Sequence, residues 1–268
     1  MKKSVKSITM ISLMAVSLLV VSSCQKDELI DDNSQYASVL SVSSDGTSSI
    51  IDANLKLALI ETSDINDSEI ASLLKMKEEE KLARDVYSVL YQKWESIIFS
   101  NISTAENNHL NAIVLLLASY GTADTSIAEP GIFANAEVQT LYNELVAKAS
   151  VSIEEAYKTG ALIEEMDIND LSVALNTTTN ENVILVFENL LKGSRNHLRV
   201  FNRQLSALGL VYSPVFISQT DYDLIVNSSM ENGKQYRMNG QSKGNGQGQG
   251  QGKGRKGQGS NNNGTCNN

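Results

Sequence analysis

Apolar residues recur at intervals of three and four along four long stretches of the chain. Residues spaced in this way share one face of an α-helix, so the pattern predicts helices with one buried side. A shorter stretch of the same kind lies between the second and third long ones. We therefore predict an all-α bundle of four helices with one long crossover that contains a short helix. The stretches cover about residues 66–94, 96–120, 134–149, 152–176 and 180–208.

Polar residues mark the starts of three of the predicted helices. Asn66 is followed by Glu69, the spacing of a capping box in which each side chain bonds the backbone amide of the other residue. Ser152 and Glu155 repeat this spacing. Thr178 lies before the fourth long helix, and we expect it to cap that helix together with the glutamate three positions later.

Six acidic and histidine side chains fall on the helix faces that the apolar pattern predicts to be buried. A charge in a protein core is costly unless it is paired, hydrogen-bonded or bound to a metal. Both histidines of the chain belong to this set. The six residues are Glu80, Glu106, His109, Glu164, Asp167 and His197.

The pair on the second helix has two interpretations. The three-residue spacing of Glu106 and His109 points both side chains at one spot, as in the Glu-x-x-His pairs of di-metal carboxylate bundles. Alternatively, Ser103 caps a helix and Glu106 closes its capping box, while His109 is only hydrogen-bonded in the core.

The positions of these residues relative to the turns favour a common site. Antiparallel helices hold residues at one level only if those residues are equally far from the connecting turn. Glu80 and Glu106 are centred on the turn after the first helix, and Glu164 and Ser194 on the polar turn at 176–180. A slip of four residues would separate them by about a turn, at about 1.5 Å per residue. The sequence therefore predicts one shared cluster.

The charge distribution narrows the choice of partners. The formal net charge is −9, but residues 1–23 carry +3 and residues 232–268 carry +6, which leaves −18 on residues 24–231. Nucleic-acid-binding domains normally present a basic face, so we expect no nucleic-acid partner. An acidic body suits a protein that handles cations.

The N-terminus has the features of an exported and anchored protein. A basic start precedes an apolar run from Ile8 to Val21, which is short for a bilayer span. The following Val21-Ser22-Ser23-Cys24 resembles the lipobox of bacterial lipoproteins, which implies that Cys24 is lipidated and anchors the chain to a membrane. The acidic residues just after it resemble the stretch that directs Bacteroidota-type lipoproteins to the cell surface. We expect an outer-membrane lipoprotein of the cell envelope; an ordinary secretory signal is the alternative.

These features divide the chain into four parts. Residues 1–23 are the predicted lipoprotein signal peptide, and 24–65 are the predicted tether, because their periodicity is weak and Ser, Asp and Thr are frequent. Residues 66–231 form the predicted bundle. Residues 232–268, rich in Gly, Gln, Asn and Lys, lack the apolar side chains that would offset ordering entropy, so we predict a disordered tail.

Two family resemblances appear at the candidate residues. Residues 80–87 are similar to the first-helix motif of rubrerythrins, 106–109 to their second-helix Glu-x-x-His, and 164–167 to a third-helix acidic pair with Asp in place of the usual Glu. More closely, residues 78–87 and 193–201 resemble a ferritin-like domain family of unknown function, numbered 2202. That family has no established reaction.

The resemblance covers about residues 66–225 and implies a ferritin-like four-helix bundle with a metal centre, related to the di-iron bundles of rubrerythrins. The six buried acidic and histidine residues are its implied ligands. Carboxylate and imidazole donors suit iron, manganese or zinc without choosing among them. We expect iron, as one or two ions, with manganese or zinc as alternatives.

The fourth helix departs from the rubrerythrin pattern. Its expected Glu-x-x-His is Ser194-Arg195-Asn196-His197 here, so one bridging carboxylate is missing. We expect the positive charge of Arg195 to oppose a second cation. Tyr87 is either a hydrogen-bond donor or radical site beside the ligands, or simply a core residue.

The sequence leaves three functions open. The first is a redox enzyme, such as a di-iron oxidase, a ferroxidase or a peroxide reductase. Since the chain has no Cys-x-x-Cys, its electrons would come from an external donor. The second function is a non-catalytic lipoprotein that binds or scavenges metal, and the third is an inert helical binding module.

Overall fold

The computed structural model describes residues 36–59, 64–124, 127–233 and 235–237. All of them belong to one unit of the chain, Asn33–Asn268. The predicted signal peptide, the lipidation site Cys24 and the tail beyond residue 237 lie outside the described residues.

The described part of the chain is mostly helical, which confirms the predicted all-α class. None of its helices is long and apolar enough to cross a membrane. The helices are α1 (Asp52–Ala58), α2 (Asp67–Trp94), α3 (Ile97–Ser119), α4 (Ala136–Ala149), α5 (Ile153–Thr177), α6 (Glu181–Ala207) and α7 (Gln219–Val226).

Four long helices form the bundle. Helix α2 packs along α3 and α5 packs along α6, and these two hairpins meet through the contacts of α2 with α5 and of α3 with α6. The crossover between α3 and α5 contains the short α4, which packs on α2 and α5. This arrangement is the predicted four-helix bundle with one crossover helix.

The core consists of two apolar clusters with a charged layer between them. One cluster is built around the rings of Tyr87, Phe99 and Phe201, whose centroids lie 5.5–6.3 Å apart. The other contains residues such as Leu73 and Phe187. Along α2, α3 and α6, the candidate ligands fall between the residues of the two clusters, whereas on α5 they are followed by Ile168 of the first cluster and then by Leu171 of the second. The centre of the bundle is therefore polar and enclosed by apolar side chains.

One predicted helix start has its full predicted cap, and a second has half of it. Asn66 and Glu69 form the capping box at α2. At α5 the Ser152 side chain accepts a hydrogen bond from the Glu155 amide, while the Glu155 carboxylate pairs with Lys158. The prediction for Thr178 is wrong, because α6 is capped by Asn180. The Thr178 hydroxyl instead donates to the Glu69 carboxylate at 2.8 Å.

Glu69 joins the start of α2 to the start of α6. Its Oε1 accepts hydrogen bonds from the backbone amides of Thr179 and Asn180, both at 2.9 Å, and its side chain is buried. Burial raises the pKa of this carboxyl, but the hydrogen bonds outweigh that effect and lower it below its ordinary 4.5. The charged form is therefore the one that stabilises the fold.

We expect Glu69→Gln to reduce the free energy of unfolding near neutral pH by about 1–3 kcal/mol, because buried amides lose a charged acceptor. A lowered pKa contributes stability above the unfolded-state value and loses it as pH falls through the folded-state value. The variant should therefore lose less stability on acidification below about pH 5. Urea unfolding as a function of pH measures this. Glu181→Gln, an exposed acid at the start of α6, is the control, and identical acid dependence of the two variants would refute the assignment.

Part of the segment predicted as a tether packs on the bundle. Strands β2 (Leu40–Val42) and β3 (Ser48–Ile50) pair antiparallel, and β3 contacts α3 and α6. Strand β1 (Tyr36–Ser38) pairs with β4 (Gln235–Arg237), which lies within the predicted tail. Leu40, Ile50 and other apolar side chains here are buried. Strands of three residues are too short to give a periodic signal in the sequence.

Candidate metal centre

The four long helices bring the six candidate residues into one buried layer. Glu80 comes from α2, and Glu106 and His109 come from α3. Glu164 and Asp167 come from α5, and His197 comes from α6. Each is at most 4 % exposed. The helices therefore place these residues in one layer, as their distances from the connecting turns predict.

Two groups of three ligand-type side chains share one carboxylate. The first group is Glu80, Glu106 and His109, and the second is Glu106, Glu164 and His197. Within each group, one potential ligand atom per residue lies within 4.8 Å of the others. Glu106 is the common member.

The two oxygens of Glu106 face different histidines. Its Oε2 lies 2.7 Å from Nδ1 of His109, and its Oε1 lies 2.8 Å from Nδ1 of His197. Glu80 Oε2 is 3.2 Å from the first of these nitrogens, and Glu164 Oε2 is 3.5 Å from the second. The two imidazole rings are nearly parallel, with centroids 5.5 Å apart. The layer is thus built around Glu106, with one histidine on each side.

Several buried atoms of this layer make no hydrogen bond. Glu106 Oε1 and His197 Nδ1 are close, yet their alignment is not that of a hydrogen bond, and both count among the unpaired atoms. Glu164 Oε2 and Asp167 Oδ2 are unpaired as well. A buried unpaired polar atom is costly, and a cation bound among these atoms would remove that cost. The donor set therefore fits a metal ion.

Residues 69–229 match a family described as an uncharacterized protein domain, DUF2202. The chain belongs to the DUF2202 family. It is 45 % identical over 170 residues to the uncharacterized protein MJ0754 of Methanocaldococcus jannaschii, a match that covers 63 % of this chain and 92 % of that protein. All six candidate ligands lie within the DUF2202 domain, whereas strands β1–β3 precede it.

A solved structure has the same fold. The crystal structure of the hypothetical protein MJ0754 from Methanococcus jannaschii DSM 2661 matches with a TM-score of 0.63 and 44 % sequence identity. The match covers 65 % of this chain and 99 % of that chain. The predicted relation to the family numbered 2202 is confirmed.

The carboxyl groups of the DUF2202 site differ in their affinity for protons. Burial raises the pKa of Glu80 to about 8 and that of Glu164 to about 7, with the charge of Glu106 adding to the effect. Burial and the neighbouring Glu80 and Glu164 raise the pKa of Asp167 well above its ordinary value. Burial acts on Glu106 too, but both histidines outweigh it and lower the pKa of this carboxyl. Glu106 is therefore the carboxyl group of this layer that ionises most readily.

The histidines hold their protons strongly in the metal-free protein. Burial favours the neutral ring, but the Glu106 and Glu80 carboxylates outweigh it and raise the pKa of His109 to about 9. Glu106 and Glu164 likewise raise the pKa of His197 well above 6.5. Protons therefore balance the carboxylates, and a metal ion would take their place.

Asp167 and Tyr87 lie beside the two groups. The Asp167 carboxylate belongs to neither group of three. The Tyr87 hydroxyl donates a hydrogen bond to Glu164 Oε1 at 2.7 Å, while its ring packs among the aromatic residues of the core. Tyr87 is therefore both a core residue and a donor to a candidate ligand.

At Ser194 the fourth helix offers the site a neutral side chain in place of a carboxylate. Ser194 is buried, and its hydroxyl donates to the carbonyl of Leu190 at 3.2 Å. Arg195 instead pairs with both carboxylate oxygens of Glu231, at 2.7 and 2.5 Å. The expectation that Arg195 opposes a second cation is corrected, because its charge is neutralised by Glu231, a residue outside both groups.

Sequence reasoning missed one residue of the site, Gly193. A Cβ at this position would lie 2.6 Å from Cε1 and 2.7 Å from Nε2 of His109. Any other residue would push the imidazole away from Glu80 and Glu106. A glycine directly before Ser194, in an otherwise continuous helix, was the available signal.

The capping alternative for the second helix is wrong. Helix α3 starts after Ser96 and runs through Ser103 without interruption. The Ser103 hydroxyl donates to the carbonyl of Arg84 on α2 at 3.0 Å. Glu106 is therefore not part of a capping box, and its carboxylate is free to face the two histidines.

A polar cavity of about 380 Å³ adjoins the layer of candidate ligands. Hydroxyl, amide and carboxylate side chains dominate its lining, including Asp45, Thr47 and Asn101. Two other lining residues touch the site or its chain neighbours: Ser48 contacts His197, and Ala105 precedes Glu106. The cavity is large enough for a small polar molecule.

Proposed function

We propose that the DUF2202 domain of this chain is an iron centre that reacts with hydrogen peroxide or O₂. One observation carries the proposal: the two oxygens of Glu106 lie 2.7 and 2.8 Å from the Nδ1 atoms of two different histidines. A carboxylate in that position can bridge two cations. Iron is chosen among the suitable metals because the helix motifs resemble those of rubrerythrins.

Each protein group has a defined part in this proposal. Glu80 and His109 would hold one ion, and Glu164 and His197 the other, with Glu106 between them. Asp167 would be a further carboxylate available to either ion. The Tyr87 hydroxyl fixes the orientation of Glu164 through its hydrogen bond, and the apolar clusters on both sides exclude bulk water from the layer.

Bound iron would supply the electrons of the reaction. Reduction of one hydrogen peroxide to two water molecules consumes two electrons and two protons. Each Fe(II) gives one electron on oxidation to Fe(III), so the second electron would come from a second Fe(II) or from the external donor, which would also return the iron to Fe(II). Glu80 and Glu164 hold protons near neutral pH only when no cation is bound, because a carboxyl group must lose its proton to bind a metal ion. The two protons would therefore come from solvent.

Peroxide and O₂ consumption by the full-length protein, loaded with Fe(II) under anaerobic conditions, tests the proposal. We expect consumption that the Glu106→Gln variant lacks. Iron binding without consumption of either oxidant would favour a non-catalytic metal-binding or scavenging protein. Absence of iron, manganese and zinc binding would favour an inert helical binding module.

The neutral side chain of Ser194 predicts that the site binds one ion more tightly than a second. Two cations repel each other, and the Ser194 hydroxyl supplies no charge to offset this. We expect the natural protein to bind its second ion weakly and Ser194→Glu to raise the metal-to-protein ratio towards two. Ser206→Glu, at an exposed position of the same helix, controls for added charge. A ratio near two in the natural protein, unchanged by Ser194→Glu, would contradict this prediction.

We also propose that the protein is a lipoprotein anchored to the outer membrane through Cys24. The support is the lipobox-like sequence before it. We expect Cys24→Ser to abolish labelling by a fatty-acid probe, and Cys266→Ser to leave labelling unchanged. Unchanged labelling of the Cys24→Ser protein would exclude the anchor. Two or three acyl chains are needed for stable attachment, since each buried CH₂ contributes about 0.8 kcal/mol.

A further inference from the structure

Strand β3 contacts a candidate metal ligand directly. The carbonyl oxygen of Ser48 lies 3.1 Å from Nε2 of His197, and the backbone nitrogen and Oγ of Ser48 each lie 3.4 Å from the same atom. Ser48 is 3 % exposed and His197 is fully buried. The Ser48 N–H points at Nε2 from 3.4 Å, but the carbonyl contact is shorter, at 3.1 Å, and a carbonyl only accepts hydrogen bonds. The shorter contact assigns the hydrogen to Nε2 of His197.

This hydrogen bond decides which nitrogen of His197 is available to a metal. With Nε2–H donated to Ser48, the lone pair of a neutral ring is on Nδ1. That atom faces Glu106 and Glu164. When one ring nitrogen of a histidine binds a metal and the other donates a hydrogen bond to a backbone carbonyl, that bond fixes the tautomer and the orientation of the ring.

The tip of the hairpin β2–β3 is fastened to the helices that carry both histidines. Asp45 accepts hydrogen bonds from the Asn101 side chain on α3 and from the Thr47 amide at 3.0 Å. Arg203 on α6 donates to the Asp45 carbonyl at 2.8 Å. Gly46 has a φ of +89°, and a Cβ there would meet the Met230 side chain and lie 2.5 Å from Nη2 of Arg203. A side chain at this position would therefore strain the backbone and displace both neighbours.

We propose that the β2–β3 hairpin, residues 40–50, is a positioning element of the metal centre that acts through the hydrogen bond of Ser48 to His197. This inference rests on the proposed metal site. It concerns a segment before the DUF2202 match at residues 69–229, so membership of the family does not imply it. The hairpin makes the group of Glu106, Glu164 and His197 dependent on a part of the chain outside the domain.

The test displaces the hairpin in the full-length protein and measures Zn(II) binding by calorimetry. Gly46→Val places a branched side chain at a positive φ against Arg203, and Asp45→Ala is a milder change that removes the anchor to α3. Ser41→Ala is the control, because Ser41 is exposed and bonds Ser49 on the outer part of the hairpin. Loss of a hydrogen bond to a ligating histidine typically lowers metal affinity about 10–100-fold.

We expect Gly46→Val and Asp45→Ala to weaken one Zn(II)-binding step by about 10–100-fold, and Ser41→Ala to leave it unchanged. Ring ¹⁵N spectra of the Zn(II)-loaded natural protein should show His197 protonated at Nε2. Unchanged affinity, in variants whose Ser48 and Ser49 amide resonances have shifted, would overturn the inference. A proton on Nδ1 of His197 would overturn it as well.

Failure of the metal site itself gives a different result. If the natural protein binds neither Zn(II) nor iron, the proposed function is wrong, but the hairpin contact is still measured in the metal-free protein. Slow solvent exchange of the His197 Nε2 hydrogen, accelerated in Gly46→Val, would then support the hydrogen bond through which the hairpin holds the His197 ring. Fast exchange in the natural protein would overturn it.

Discussion

Replacing Glu106 with glutamine should lower iron affinity at both groups of three by at least about 100-fold. Losing a residue that only orients a ligand costs about 10–100-fold, and Glu106 is shared by both groups. Glutamine has nearly the same shape but no charge, so neither histidine retains its closest anion. Iron content per protein after desalting, measured by elemental analysis, reports the result.

A buried glutamate on α5, next in the chain to Glu164, is the matched control. Glu165 is fully buried, and its carboxylate accepts hydrogen bonds from the Tyr212 hydroxyl at 2.6 Å and from the Val215 amide. Glu165→Gln should therefore weaken the packing of the segment after α6 and leave the iron content unchanged. Equal iron content in Glu106→Gln and the natural protein would disprove the central role of Glu106. Circular dichroism shows whether both variants remain helical.

Metal binding should also raise the thermal stability of the protein substantially. A ligand at about 1,000 times its dissociation constant stabilises the folded state by about 4 kcal/mol. For a domain of this size, 1 kcal/mol corresponds to about 2–4 °C in Tm. We therefore expect an increase of about 8–16 °C per tightly bound ion, and its loss on chelation. An unchanged Tm with iron, manganese and zinc would contradict the prediction.

The size of this shift should increase with pH. The folded-state pKa values of Glu80, Glu164 and His109, about 8, 7 and 9, all lie above their ordinary values. The metal-free fold therefore binds more protons than the unfolded chain and loses stability as pH rises towards these values. Metal ions replace the protons, so their affinity rises over the same range. Thermal unfolding with and without metal between about pH 6 and 8 measures both trends.

The sequence predicted the parts of the centre that depend on helix geometry. The three-residue spacing of Glu106 and His109, and the equal distances of Glu80 and Glu106 from the turn between their helices, depend only on the regular rise of a helix. The capping box at Asn66 is equally local. These features need no knowledge of how distant segments meet.

The features that the sequence could not predict are contacts between distant segments. Ser48 and His197 are 149 positions apart in the chain, and nothing in the short strand around Ser48 indicates its partner. The pairing of Arg195 with Glu231 likewise depends on how the segment after α7 returns to the bundle. The glycine at position 193 is unusual within a helix, but only its contact with the His109 ring explains it.

Anomalous X-ray diffraction from crystals grown with iron tests the central claim most directly. We predict a peak at the iron absorption edge between Glu106 and one or both histidines, with carboxylate oxygens and Nδ1 atoms at about 2.0–2.2 Å, the distances at which oxygen and nitrogen ligands bind such ions. A peak beside His109 alone would agree with weak binding of the second ion, which we expect because position 194 carries no carboxylate. A well-ordered layer with no peak at Glu106, under conditions in which iron was present in excess, would contradict the account.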